Sequence, residues 1–199
     1  MGLWSYGNRQ RDGKLTKDSG NLDKMPTKAP SLLAGGKLFV RSRPQYEDVP
    51  QEGFLIATDK PYLIPNKATG DQTAAINQFL KDAQKQNKIA YFPGGIYSVT
   101  GTVFVPPGSR VQGASWSQIQ GSGKFFQDID NPQVMVKVGN AGDVGTMEIV
   151  EMLFSVKGPT AGAILMEWNI KADKQGSGKF LSGVQIQFPT PTDCQRSKS

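Results

Sequence analysis

The chain of 199 residues contains no histidine. That absence removes the commonest general base, the Ser-His and Cys-His nucleophile pairs, and every metal site that needs an imidazole ligand. A single cysteine, Cys194, forbids an internal disulfide, and a thiol nucleophile would have no imidazole to activate it. Its place in a polar tail reads as an incidental free thiol. No apolar run approaches the roughly twenty residues of a membrane-spanning helix, and the start, MGLWSYGNRQRDGKL, lacks the apolar stretch of a secretory signal. Any chemistry would fall to carboxylates, lysine or tyrosine.

A net charge of +6 invites a nucleic-acid reading, but its distribution does not support one. Residues 1 to 50 hold nine Lys/Arg against five Asp/Glu, residues 51 to 170 nine against ten, and residues 171 to 199 five against two. The excess lies in the two ends and the middle is near neutral, so neither nucleic acid nor a membrane is expected as partner.

Glycine (23) and proline (13) are numerous and argue for short elements joined by turns. Residues 1 to 50 read as a largely irregular linker or extended arm, in which Leu38 to Tyr46 is one strand or an arm laid over a domain. TGDQTAAINQFLKDAQKQNK is the one convincing helix, at about 71–86: Asp71 or Thr69 can cap it, and Ile76, Phe79, Leu80 and Ala83 share a face. Asp71 is therefore read as a cap.

Beyond it come short β-rich runs at 89–92, 96–99, 102–105, 110–112, 134–138, 147–156, 162–168 and 183–188, each pair divided by turn formers. No further amphipathic helix appears between them, so a doubly wound α/β sheet, which needs a helix at each parallel crossover, fits poorly. An antiparallel sandwich and a parallel β-helix with a capping helix both remain, and one helix followed only by strands matches the second. The fold class expected is all-β, with residues 51–188 as a partial β-helix domain and 189–199 as a disordered tail.

GDQTAAINQFL, KIAYFPGGIYSVTGTVFVPPGSRVQG and the long block GASWSQIQGSGKFFQDIDNPQVMVKVGNAGDVGTMEIVEMLFSVKGPTAGAILMEWN at 113–169 carry a resemblance. With PTKAPSLL at 26–33 and RSRPQYED at 41–48, they resemble the pectate-lyase-like superfamily and, within it, fungal glycoside hydrolase family 55, the exo-β-1,3-glucanases. The likeness spans about residues 20 to 172. It implies a right-handed parallel β-helix, inverting and metal-independent hydrolysis of β-1,3-glucan, no cofactor, and an extracellular enzyme, although this chain shows no signal. It further implies that the chain matches the interdomain linker and the first part of the second of two β-helix domains. One departure is local: where the family has paired aspartates before Thr73, this chain has Asp71 and Gln72, a change expected to bear on stability.

Glycoside hydrolysis ordinarily needs two carboxyl groups, one to protonate the leaving oxygen and one to activate water. Asp128, Asp130 and Asp143 sit at turns and suit backbone bonding. Glu148 and Glu151 have opposite parity, so one regular strand would send them to opposite faces. Glu167 is the best single acidic candidate, beside Trp168, which could stack on a sugar; against this, Met166 and Trp168 can share a buried face while Glu167 meets solvent. Trp116 is the third substrate-contact candidate, with ordinary packing as the alternative. The resemblance places the general acid and the water-positioning carboxylate after the Glu167-Trp168-Asn169 segment, so the chain as it stands is expected to be inactive. The other readings are a non-catalytic β-glucan-binding fragment and, more weakly, a polysaccharide lyase, for which the Asp cluster that would hold calcium is missing.

Overall fold

The computed structural model describes residues 3–22, 27–173, 180–182 and 185–187. The chain divides into two units, 1–40 and 41–199.

The first unit departs from the irregular arm expected of it. β1 (Leu3–Arg11) and β2 (Lys14–Leu22) pair antiparallel over their full length, and β3 (Leu33–Ala34) and β4 (Lys37–Leu38) form a second, minimal hairpin. The reason is the turn: Asp12 and Gly13 both have positive φ, at 50° and 76°, the twist that a two-residue hairpin loop demands and that Asp-Gly supplies most readily. Gly35 and Gly36 play the same part between β3 and β4.

Among its described residues the second unit is all-β with one α-helix. β5 (Phe54–Ile56) leads to α1 (Thr73–Lys85), and β6 (Ile89–Phe92), β7 (Gly95–Val99), β8 (Val103–Val105), β9 (Arg110–Gly121), β10 (Gln133–Val138), β11 (Glu148–Val156), β12 (Ala163–Trp168), β13 (Phe180–Ser182) and β14 (Gln185–Gln187) follow. Every strand pair among these is parallel. One sheet runs β13-β11-β9-β6-β5, with β7 and β14 joined to β9 and β11; the other runs β12-β10-β8. From β7 to β13 the chain visits the two in alternation.

The larger sheet carries a seam. β9 pairs with β6 as far as Gly113 and with β7 from Ser117 onward; β11 shifts register between Val150 and Met152; β13 and β14 flank the same point, pairing up to Val150 and from Leu153. On either side of it successive residues alternate. Val111, Ile149, Ile119 and Phe154 turn into the core, while Arg110, Gln112, Gln118 and Gln120 lie on the outer face. An antiparallel sandwich is excluded by these ladders.

The core is apolar and aromatic. α1 buries the four predicted residues, Ile76, Phe79, Leu80 and Ala83. Phe79 meets Phe92 edge-to-face at 5.2 Å, and Phe92 meets Tyr97 at 5.1 Å, geometry that aromatic quadrupoles prefer. Tyr97 is fully buried, and its hydroxyl donates to the Pro93 carbonyl at 2.8 Å, so the polar end is satisfied. Asn77 of α1 covers the open edge of β8, donating to Thr102 O at 3.0 Å and accepting from Phe104 N at 2.7 Å.

The helix starts two residues later than Asp71. Asp71 Oδ1 accepts from the Thr73 amide at 3.0 Å, from the Thr73 hydroxyl at 2.5 Å and from the Thr100 amide at 3.0 Å, tying the helix start to the end of β7. Burial alone would raise its pKa, but these donors outweigh that and hold the carboxyl below its ordinary value. Gln72 is buried beside it, donating to Pro65 O and Thr69 O, while its Oε1 has no partner. Residues 189–199, including Cys194, lie outside the described residues.

Candidate functional site

Two non-glycine residues at the seam hold left-handed backbone: Ser115 at φ 59° and Glu151 at φ 56°. Each such residue costs on the order of 1–3 kcal/mol unless its surroundings enforce it, and such conformations gather at working surfaces. The enforcement is visible. The Ser117 hydroxyl accepts from the Ala114 amide at 2.7 Å and donates to Phe92 O, closing the bend of β9. Gly113 faces the Glu151 carbonyl so closely that a Cβ there would lie 2.1 Å from it.

The bend in β11 also decides where the acids go. The parity expectation for Glu148 and Glu151 fails, because Glu151 occupies the extra position of the bulge and so falls on the outer face with Glu148. The segment from Arg41 to Gln45 runs over that face. Glu148, almost wholly buried, accepts from Arg41 Nη2 at 2.6 Å and from the Tyr46 hydroxyl at 2.8 Å. Burial and the bond to Glu148 push the Tyr46 phenol well above its ordinary pKa. Glu151 pairs with Arg43 through Oε1 and accepts from Ser115 Oγ at 3.0 Å through Oε2.

Next in sequence to Ser115 is Trp116, 78% exposed, which is extreme for the largest apolar side chain. A recess of about 240 Å³ opens between Arg43, Gln45, Gln112, Val150 and Glu151. An adjoining one of about 320 Å³ lies between Gln45, Phe54, Ile56, Tyr91 and Gln112. Charged and neutral donors, a carboxylate acceptor and a free indole face are the inventory by which proteins hold neutral polyhydroxylated ligands.

The sequence candidates fall in two places. Trp116 stands at the seam with Glu151. Glu167 and Trp168 are on β12, in the other sheet. Met166 and Trp168 pair with Val136 and Val138 and pack on the core, and the indole N–H donates to Ile170 O at 3.2 Å. Glu167 sits opposite Lys137 and accepts from Asn169 Nδ2 at 2.7 Å. Asp128 and Asp143 accept from the backbone amides of Asp130 and Asn140, as turn residues do. Sequence reasoning missed Arg41, Arg43 and Ser115 as partners; the Gly113-Ala114-Ser115 run directly after the predicted strand 110–112 was the available sign that the strand bends rather than ends. Among the described residues no cluster of acidic, Cys or His side chains could hold a metal ion, and no helix is long and apolar enough to cross a membrane.

No protein-family profile matches the chain. It is 35% identical over 180 residues to a glucan endo-1,3-beta-glucosidase of Trichoderma harzianum, covering 88% of this chain and 23% of that protein. It is 37% identical over 173 residues to a glucan 1,3-beta-glucosidase of Cochliobolus carbonum, covering 85% of this chain and 21% of that protein. A third relative, 42% identical over 184 residues, is a non-secreted LysM effector, LysM19, of Penicillium expansum, with 86% of this chain and 14% of that protein aligned. The chain thus spans less than a quarter of the length of the relatives it matches.

Proposed function

We propose that the chain is the glucan-contacting part of a secreted β-1,3-glucan hydrolase of the glycoside hydrolase family 55 type, coiled as a right-handed parallel β-helix. The observation that carries the reading is the likeness, at 35% and 37% identity over most of this chain, to two proteins named as β-1,3-glucosidases. The alternation of the chain between parallel stacks, with strands added in chain order, supports the coil. In this reading Trp116 stacks on a glucosyl ring, while Glu151 and Arg43 take its hydroxyls. Glu167 and Trp168, on β12 of the other sheet, take no part in that contact. Hydrolysis needs a second carboxyl group placed across the bond. Glu148 does not serve, since Arg41 and Tyr46 engage it from both oxygens. The chain by itself therefore binds β-1,3-glucan, a cell-wall polysaccharide, without cleaving it.

The test is direct. Incubated with insoluble β-1,3-glucan the chain sediments with it, Trp116→Ala reduces that binding at least tenfold, and laminarin yields no glucose. Steady glucose release from laminarin by the chain alone would overturn the assignment of the catalytic carboxylates elsewhere, and failure to bind would overturn the glucan reading.

The relative named a LysM effector favours a second reading, in which the same surface holds glucan and is never part of a hydrolase. Placing this chain in the matching segment of the Cochliobolus carbonum glucosidase separates the two: a chimera that hydrolyses laminarin supports the first, one that only binds it the second.

A further inference from the structure

We infer that the hairpin β1/β2 carries a second carbohydrate-binding face, distinct from the seam of the larger sheet and built for an uncharged polysaccharide. The inference rests on the glucan reading for the identity of that polymer. Strand alternation puts Trp4, Tyr6 and Asn8 of β1 on one face, and the antiparallel register sets Asn21, Ser19 and Lys17 of β2 opposite them in that order. All six are exposed. Trp4 is 62% and Tyr6 66% exposed, and two large rings in contact yet open to solvent mark a recognition surface rather than packing. Their planes agree to within 1° and their centroids lie 5.8 Å apart, so they stand as one aromatic unit.

The charges on this patch select the class of ligand. A polyanion such as nucleic acid is held by several cations at once. Here Lys17 stands alone, and its ammonium lies over the Tyr6 ring, 5.9 Å from the centroid, so that its charge is already engaged. A basic partner would meet no carboxylate among the six. What the patch does offer is two aromatic rings, flanked by the amides of Asn8 and Asn21 and the hydroxyl of Ser19, which both donate and accept hydrogen bonds. A neutral sugar matches both parts: its C–H face lies on the rings and its hydroxyls reach the amides. Fixed on paired strands rather than on a loose loop, the rings hold their places before the polymer arrives, which lowers the ordering cost of binding.

Sedimentation of the 199-residue chain with insoluble β-1,3-glucan tests this. Trp4→Val combined with Tyr6→Val removes both rings but keeps strand-forming side chains, and is expected to weaken binding at least about fivefold through lost avidity, with Trp116 untouched. Trp4→Tyr combined with Tyr6→Trp keeps two rings and is expected to bind within about twofold of the parent chain. A valine variant that sediments like the parent chain, or a ring-exchanged variant that binds as poorly as the valine one, overturns the hairpin face and leaves the glucan reading in place. No sedimentation of the parent chain overturns both. Laminarin and sulfated laminarin, compared by titration calorimetry, read the charge of the ligand. Tighter binding of the sulfated form by the parent chain, lost in the valine variant, would show that this face takes an anion and overturn the proposal.

Discussion

The two arginines of the Arg41–Tyr46 segment make the same kind of contact and should differ sharply in what they contribute. Arg41 meets Glu148, whose side chain is 8% exposed; Arg43 meets Glu151, whose side chain is 21% exposed, and is itself 44% exposed. Removing one member of a buried pair strands a charge in low dielectric, at a cost of about 3–5 kcal/mol in full burial. Arg41 is 35% exposed and Tyr46 still donates to Glu148, so water and one hydrogen bond recover part of that. Arg41→Ala is then expected to cost about 2 kcal/mol, whereas Arg43→Ala falls in the range of exposed pairs, about 0–1 kcal/mol. For a unit of this size the first corresponds to a fall in melting temperature of roughly 4–8 °C. Urea unfolding of the two single variants, with Glu148→Gln and Glu151→Gln completing two double-mutant cycles, measures the coupling directly. A coupling of at least about 1 kcal/mol is expected for Arg41 with Glu148 and under about 0.5 for Arg43 with Glu151. Equal couplings, or a larger one for the exposed pair, would refute the use of burial to rank them.

Asp71→Asn removes a charged acceptor from three donors and should cost about 1 kcal/mol at neutral pH, as cap losses do. Because the folded carboxyl titrates below its ordinary value, its contribution is present above about pH 4 and is lost as pH falls further; the stability gap between parent and variant in urea titrations should close accordingly. Gly113→Ala would set a Cβ 2.1 Å from the Glu151 carbonyl, backbone that cannot swing aside. It is expected to destabilise by more than about 2 kcal/mol and to weaken glucan binding through the displaced bulge, a pairing of effects that melts and sedimentation read together.

Helix α1 was legible in detail because its signal is local: the apolar spacing that predicted Ile76, Phe79, Leu80 and Ala83 is the spacing that buries them. The strand runs were legible for the same reason. The hairpin β1/β2 was missed although Asp12-Gly13 announces it, because the flanking residues are polar and no alternation frames the turn. β9 was read as three residues and is twelve, since Gly113 and Ser115 look like an end when they are a bend within one strand. The same bend hid the acids. Parity counts residues along a regular strand, and Glu151 sits where β11 is not regular, so its face depends on β9, a partner remote in sequence. Trp116 was legible as a candidate by type alone; its exposure and its neighbours are properties of the folded seam.

That seam separates two ladders whose registers are set independently, by β6 and β13 on one side and by β7 and β14 on the other. Between them β9 spends four residues, 113 to 116, where β11 spends one. Of these, Ala114 to Trp116 lie outside both of β9's ladders with β6 and β7, so residues added there would leave the strand pairs on either side in place. The seam is therefore the place on this surface where new specificity can be written by insertion, in the manner of a grafted recognition loop.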